Sequence, residues 1–216
     1  MNVSANPPIR AVIFDNDGTL VDSEAISLRV WVELLSEFGF AMPHDEAVAR
    51  FSGQDLHVVI REVESEMGRP LPSDILERFR SRQLPELERS VRPVAGVPEL
   101  LDAVTLPFCV ASNAPQNKIR LCLDAAGIGH HFEPQAVFSA YDIEAWKPKP
   151  DLFLQAARAM GVPPAQCAVV EDSVFGLDAA EAAGMQTFAY DPHDKFHSRD
   201  SVVRIRRMSE LTSVFS

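Results

Sequence analysis

The chain is poor in cysteine: among its 216 residues only Cys109, Cys122 and Cys167 occur, with no CxxC and no histidine at metal-ligand spacing. An odd, scattered set of this kind excludes a disulfide framework and a zinc centre, and reads as buried apolar thiols of a reduced, cytoplasmic protein. Long hydrophobic runs are missing too. None approaches the ~18 apolar residues of a membrane span, and the opening residues 1–8 have neither the basic nor the apolar stretch of a signal peptide. No membrane partner is expected. Positive charge is in deficit, with 20 Lys and Arg against 31 Asp and Glu and a formal net charge of −11. A sequence-tolerant nucleic-acid binder needs a basic face, so nucleic acid is excluded as a partner. An anionic small molecule is not excluded, because one cation inverts the field of a local site. Glycine and proline are modest, 10 and 16 residues beside 46 % hydrophobic and 24 % charged, which excludes collagen-like, disordered and coiled-coil chains. One compact unit with an insertion is expected at this length, and more than two domains are not.

Short apolar runs recur at residues 11–14, 108–111, 136–138, 168–170 and 187–190, each ending in polar residues or a turn, as buried parallel strands do. Amphipathic stretches at 117–126, 151–160 and 173–183 predict helices, and Gly127, Gly161 and Gly184 follow them where a chain leaves a helix in the left-handed conformation. Strands alternating with helices predict an α/β fold, a doubly wound, Rossmann-like parallel sheet.

Residues 21–92 break this rhythm. They contain no convincing buried strand, and Ile26, Val30, Leu34 and Phe38 recur every four residues as on one helical face. Gly39 and Pro43 stop that helix, and further helices are expected at about 55–67 and 73–88. The expectation is a core of residues 1–20 and 93–216 with an inserted helical module, 21–92, holding 14 acids, nine arginines and no lysine. Pro93, Gly96 and Pro98 mark the return to the core. The tail after Pro192 carries no assignment.

Open parallel sheets bind ligands outside the carboxyl ends of their strands. Asp15-Asn16-Asp17-Gly18-Thr19 follows the first strand, Ser112-Asn113-Ala114-Pro115 the second, Lys147-Pro148-Lys149-Pro150 lies after the third, and Glu171-Asp172-Ser173 follows the fourth. Singly, each fits a plainer role. The first is also an Asx-type turn, Ser112 and Asp172 are also helix N-caps, and a lone lysine is usually a solvated charge. Together they supply two acidic pairs, a hydroxyl and an ammonium. Phosphoryl transfer asks for such a set: an in-line nucleophile, a divalent cation, fixed donors for the phosphoryl oxygens and an acid for the leaving oxygen.

In this order and at these intervals, the motifs resemble those of the haloacid dehalogenase superfamily, in its Mg²⁺-dependent phosphatase branch, over essentially the whole chain. The insertion resembles the small α-helical cap of the β-phosphoglucomutase-like subfamily. The resemblance implies Asp15 as nucleophile and metal ligand, and Asp17 as general acid and base whose backbone carbonyl ligates the metal. It implies Ser112 and Lys147 as holders of the phosphoryl group, and Asp172 with Glu171 as further metal ligands around Mg²⁺. Mg²⁺ and Lys147 would keep Asp15 ionised. Thr19, Asn113, Glu24, Arg50, Gln54 and Lys118 are the candidates for positioning or contacting the substrate. The acidic Asp17 separates this chain from the metal-independent dehalogenases, and the lack of lysine in 21–92 separates it from Schiff-base phosphonate cleavers. Leu56 stands where the phosphosugar mutases carry an arginine, three residues after Gly53, which weakens the mutase alternative. Residues 112–118 and 141–148 are most similar to phosphatases of the 6-phosphogluconate type. The expected partner is thus a small phosphorylated metabolite, for a monomer or weak homodimer, with a mutase and a catalytically silent binding relative as alternatives. His44, His57, His130, His131, His193 and His197 read as non-catalytic.

Overall fold

The apolar run Ala11–Phe14 forms β1, buried along its whole length. In the computed structural model, which describes residues 7–51 and 56–216, it lies inside a six-stranded sheet. The other strands are β2 (Phe108–Ser112), β3 (Val137–Ser139), β4 (Cys167–Glu171), β5 (Gln186–Tyr190) and β6 (Val203–Ile205). All neighbouring pairs are parallel, in the order β3-β2-β1-β4-β5-β6. The order reverses direction at β1, so the loops leaving β1, β2 and β4 meet at one end of the sheet, the place where such sheets bind ligands.

The helices are α1 (Glu24–Glu37), α2 (His44–Phe51), α3 (Leu56–Met67), α4 (Ile75–Ser90), α5 (Val97–Ala103), α6 (Gln116–Ala125), α7 (Ala140–Ile143), α8 (Asp151–Met160), α9 (Val174–Ala182) and α10 (Thr212–Phe215). The chain divides into two compact units, Met1–Asp22 with Arg92–Ser216, and Ser23–Val91.

The first unit is layered on both faces of the sheet. Ala11, Ile13, Cys109, Ala111, Cys167 and Val169 point to one face and pack on Leu152, Phe153, Ala156 and Ala157 of α8 and on Ala179 and Ala180 of α9. Successive strand residues point oppositely, so Phe14 turns to the other face, where its ring meets Phe108 and Phe215 edge-on at 6.1 and 6.5 Å. All three cysteines are free and buried; burial pushes the Cys122 thiol up to about 12 and the Cys167 thiol up to about 11, so neither is a nucleophile near neutral pH. The two crossings out of this unit are tied together within it: Asp22 N–H donates to Arg92 O at 2.9 Å and Val94 N–H to Leu20 O at 3.0 Å. Strand β6 was not expected from the sequence. It is an edge strand with only Ile205 buried, and Arg204 interrupts any apolar run.

The second unit is helical, around Trp31 and Phe79 in edge-on contact at 5.0 Å. The buried residues of α1 are Leu28, Val30, Trp31, Leu34 and Leu35, whereas Ile26 and Phe38 are only half-buried. A strict four-residue spacing advances 40° per step against the helical 3.6-residue turn, so three steps carry it off the buried face. Helix α2 also escapes the sequence reading. It is eight residues long and buries only Ala47 and Phe51, too little to show a period. No described helix is long and apolar enough to cross a membrane.

Candidate active site

Asp15 directly follows β1, anchored by its N–H donating to Val170 O at 3.0 Å on β4. The chain then turns tightly: Leu20 and Val21 N–H both donate to Asn16 O at 3.0 Å, and Gly18 N–H to Val21 O at 2.8 Å. Gly18 has φ +82°, and a Cβ there would lie 2.2 Å from Asp172 Oδ2. Glycine is therefore required twice, for the turn and for the approach of the β4 carboxylate.

Lys147 is the hub. Its ammonium, with the side chain 3 % exposed, donates to Asp15 Oδ1 at 2.5 Å and to Glu171 Oε1 at 2.7 Å. It also lies 4.7 Å from the Phe153 ring centroid. Asn113 fixes the lysine's backbone: its Oδ1 accepts from Lys147 N–H at 2.9 Å and its Nδ2 donates to Lys147 O at 3.4 Å. Ser112 is buried at the end of β2, where its Oγ accepts from Ala114 N–H at 3.1 Å and keeps its own proton to donate. Thr19 is fully buried and donates to Asp172 Oδ1 at 3.2 Å. Thr19 and Asn113, expected among substrate contacts or positioning groups, thus hold other site residues in place. Asp17, nearer the surface, accepts from Lys118 Nζ at 2.8 Å.

Four carboxylates meet two ammonium groups here, and the balance shows in their acidities. Burial pushes the Asp15 carboxyl up to about 7; Lys147 pulls it down, and Glu171 and Asp17 push it further up. Lysine alone therefore does not restore the ordinary acidity of Asp15. Burial disfavours the Lys147 charge, but Asp15 and then Glu171 more than offset this and raise its pKa; Asp17 does the same for Lys118.

Oxygen ligands of Asp15, Glu171 and Asp172 lie within 4.8 Å of one another. A compact set of hard oxygens with surplus negative charge suits a hard divalent cation. The other sequence candidates belong to the helical unit. Glu24 opens α1, and the guanidinium of Arg50 bonds Glu46, Glu62 and Glu66 within that unit. Gln54, with Gly53, lies outside the described residues.

A buried carboxylate, an ammonium, a hydroxyl and a compact acidic set suited to a cation, at one end of a parallel sheet, match the parts of a phosphoryl-transfer site. The model of the haloacid dehalogenase-like hydrolases matches residues 12–190. The chain belongs to the haloacid dehalogenase-like hydrolase family. It is 38 % identical over 210 residues to the 6-phosphogluconate phosphatase of Escherichia coli K12, covering 96 % of this chain and 95 % of that protein. A conserved haloacid dehalogenase-like protein of unknown function from Agrobacterium tumefaciens superposes with a TM-score of 0.84 at 35 % identity, over 95 % and 97 % of the two chains. A haloacid dehalogenase family hydrolase from Deinococcus radiodurans, solved with bound phosphate and sodium, gives 0.78 at 29 % identity, over 97 % and 98 %. This haloacid dehalogenase-like hydrolase is a phosphatase acting on phosphoric monoesters.

Two further residues of this hydrolase's site, Ser173 and Gly176, carried no role of their own in the sequence. Glu171 Oε2 accepts from the N–H groups of Asp172 and Ser173 at 3.0 and 2.9 Å and from Ser173 Oγ at 2.9 Å. Ser173 Oγ in turn accepts from Gly176 N–H at 3.1 Å, capping α9. A Cβ on Gly176 would lie 1.8 Å from Glu171 Oε1, so that helix position must stay bare for the carboxylate to reach Lys147. A glycine in the first turn of an expected helix was the available signal.

Proposed function

We propose that the enzyme hydrolyses a small sugar or sugar-acid phosphate, 6-phosphogluconate in the first place, through an aspartyl-phosphate on Asp15. The observation that carries the chemistry is Asp15 held at 2.5 Å by the buried Lys147, beside the carboxylates of Glu171 and Asp172. The substrate class rests on the relative named 6-phosphogluconate phosphatase, matched along nearly its full length.

Asp15, Glu171 and Asp172, with the Asp17 carbonyl, would hold Mg²⁺. Bound there, the ion neutralises charge on the phosphoryl group. An Asp15 carboxylate oxygen attacks phosphorus as the bond to the leaving oxygen breaks, and Asp17 delivers a proton to that oxygen. Lys147 and the Ser112 hydroxyl hold the phosphoryl oxygens during transfer. Water then attacks phosphorus of the aspartyl-phosphate, Asp17 takes its proton, and Asp15 returns as a carboxylate while phosphate leaves. The helical unit Ser23–Val91 serves in this reading as the cap domain. With Arg50 committed to Glu46, Glu62 and Glu66, and Leu56 in place of the mutase arginine, water is the acceptor and a second phosphate is not gripped.

Purified enzyme should release phosphate from p-nitrophenyl phosphate with Mg²⁺ and lose that activity in excess chelator. Across 6-phosphogluconate, hexose and pentose phosphates, glycerol phosphate and nucleoside monophosphates, a sugar or sugar-acid phosphate should give the highest kcat/KM. Full activity in chelator overturns the metal assignment, and an isomeric sugar phosphate in place of free phosphate overturns hydrolysis.

A further inference from the structure

Of the two ammonium groups at the site, Lys147 is accounted for by Asp15 and Glu171, and Lys118 is not. Lys118 is the third residue of α6, a helix fixed to the first unit by the buried Ile119, Cys122 and Leu123. The start of that helix is pinned by Gln116, whose Nε2 donates to Val137 O at 2.8 Å and to Asp142 Oδ2 at 3.0 Å. From this rigid base Lys118 reaches 101 residues back in sequence to donate to Asp17 Oδ1 at 2.8 Å, the two side chains being 15 % and 28 % exposed. The partner is neither the nucleophile nor one of the three clustered carboxylates. It is the residue to which the proposed mechanism gives both proton transfers.

We propose that Lys118 is a positioning residue for Asp17, aiming its carboxylate at the leaving oxygen and then at the attacking water. This rests on the reading of Asp17 as the acid and base. The backbone of Asp17 is set by the tight turn around Gly18, but the turn does not fix the side-chain torsions. A partner standing on a helix does. Misplacing a reacting group by about 1 Å costs on the order of 100-fold, so a loosened Asp17 would slow the steps that need its proton. A cation bound to substrate phosphate would act otherwise, by strengthening binding of every phosphorylated compound alike.

The test compares Lys118→Gln with wild type on glycerol phosphate, whose alkoxide leaves poorly, and on p-nitrophenyl phosphate, whose phenoxide leaves well. Asp17→Asn is run in parallel and combined with Lys118→Gln. The expected kcat loss on glycerol phosphate is about 10- to 100-fold, at least about tenfold larger than on p-nitrophenyl phosphate. KM should move less than kcat, and Lys118→Gln should add little to Asp17→Asn. Lys118→Arg, which keeps a cation on the same helical turn, should recover part of the lost ratio, and it carries the comparison if Lys118→Gln fails to fold. A loss confined to KM, equal losses on the two substrates, full additivity with Asp17→Asn, or no change overturns the positioning role. If Asp17→Asn itself shows no dependence on the leaving group, the acid and base assignment has failed, and the fault lies there and not with Lys118.

Discussion

Asp15→Asn is expected to lower turnover by about 10⁴-fold or more while the protein melts at or above the wild-type temperature in metal-free buffer. The two halves of this expectation have separate physical sources. Asparagine keeps the shape of the side chain but has no anionic oxygen to attack phosphorus, so the covalent route closes. The fold, however, gains nothing from the negative charge at this position. Burial pushes the Asp15 carboxyl from an ordinary 3.8 up to about 7. A carboxyl whose folded pKa lies above its unfolded one makes the fold lose stability as pH rises through that interval. A neutral amide escapes that loss, and Lys147 retains Glu171 as a partner at 2.7 Å. Phosphate release and thermal melting followed by circular dichroism read the two effects independently. Substantial remaining activity would remove Asp15 as nucleophile, and a large fall in melting temperature would show that the charge was structural.

Lys147→Ala should have the opposite profile, damaging fold and catalysis together. Lys147 is 3 % exposed at its side chain and stands between carboxylates that are 9 % and 1 % exposed. Taking one partner out of a buried ion pair typically costs about 3–5 kcal/mol. At roughly 2–4 °C per kcal/mol for a chain of this size, the melting temperature should fall by about 10 °C. kcat/KM should fall by about 10³-fold, because the cation proposed to hold the phosphoryl oxygens is gone. Asp15→Asn in the Lys147→Ala background should restore part of the stability, since one carboxylate fewer is then left in the cluster without the ammonium. Unchanged melting of Lys147→Ala would mean that water or rearrangement already compensates the carboxylates, and unchanged kcat/KM would take Lys147 out of the site.

The contrast between these two substitutions shows what a sequence can carry. The strands β1, β2, β4 and β5 were legible because a parallel strand covered on both faces is written as an unbroken apolar run, and the polar residues that end each run announce the site side of the sheet. Asp15, Glu171 and Asp172 stood out for that reason, at strand ends where core residues have no use for charge, and Lys147 stood out next to the prolines in the stretch from α7 to α8. What escaped depends on side-chain geometry across the fold. Nothing local in Gly176 says that Glu171 needs its space, and nothing near Lys118 says that its partner is Asp17. Asn113 was expected to position other residues or to contact substrate, but nothing in its own stretch names its partner, the backbone of Lys147, 34 residues away. Edge strand β6 and the short α2 failed for a simpler reason: each buries one or two residues, and a period needs more.

The claim on which the mechanism turns is that phosphorus is displaced twice, first by Asp15 and then by water. Each in-line displacement inverts the configuration at phosphorus, so two leave it unchanged. The most direct measurement is therefore hydrolysis of a phosphorothioate monoester, made chiral at phosphorus by sulfur and two oxygen isotopes, in water carrying the third oxygen isotope. Transfer through Asp15 predicts thiophosphate of retained configuration, and inverted configuration would contradict it, because water would then have attacked the substrate in a single step.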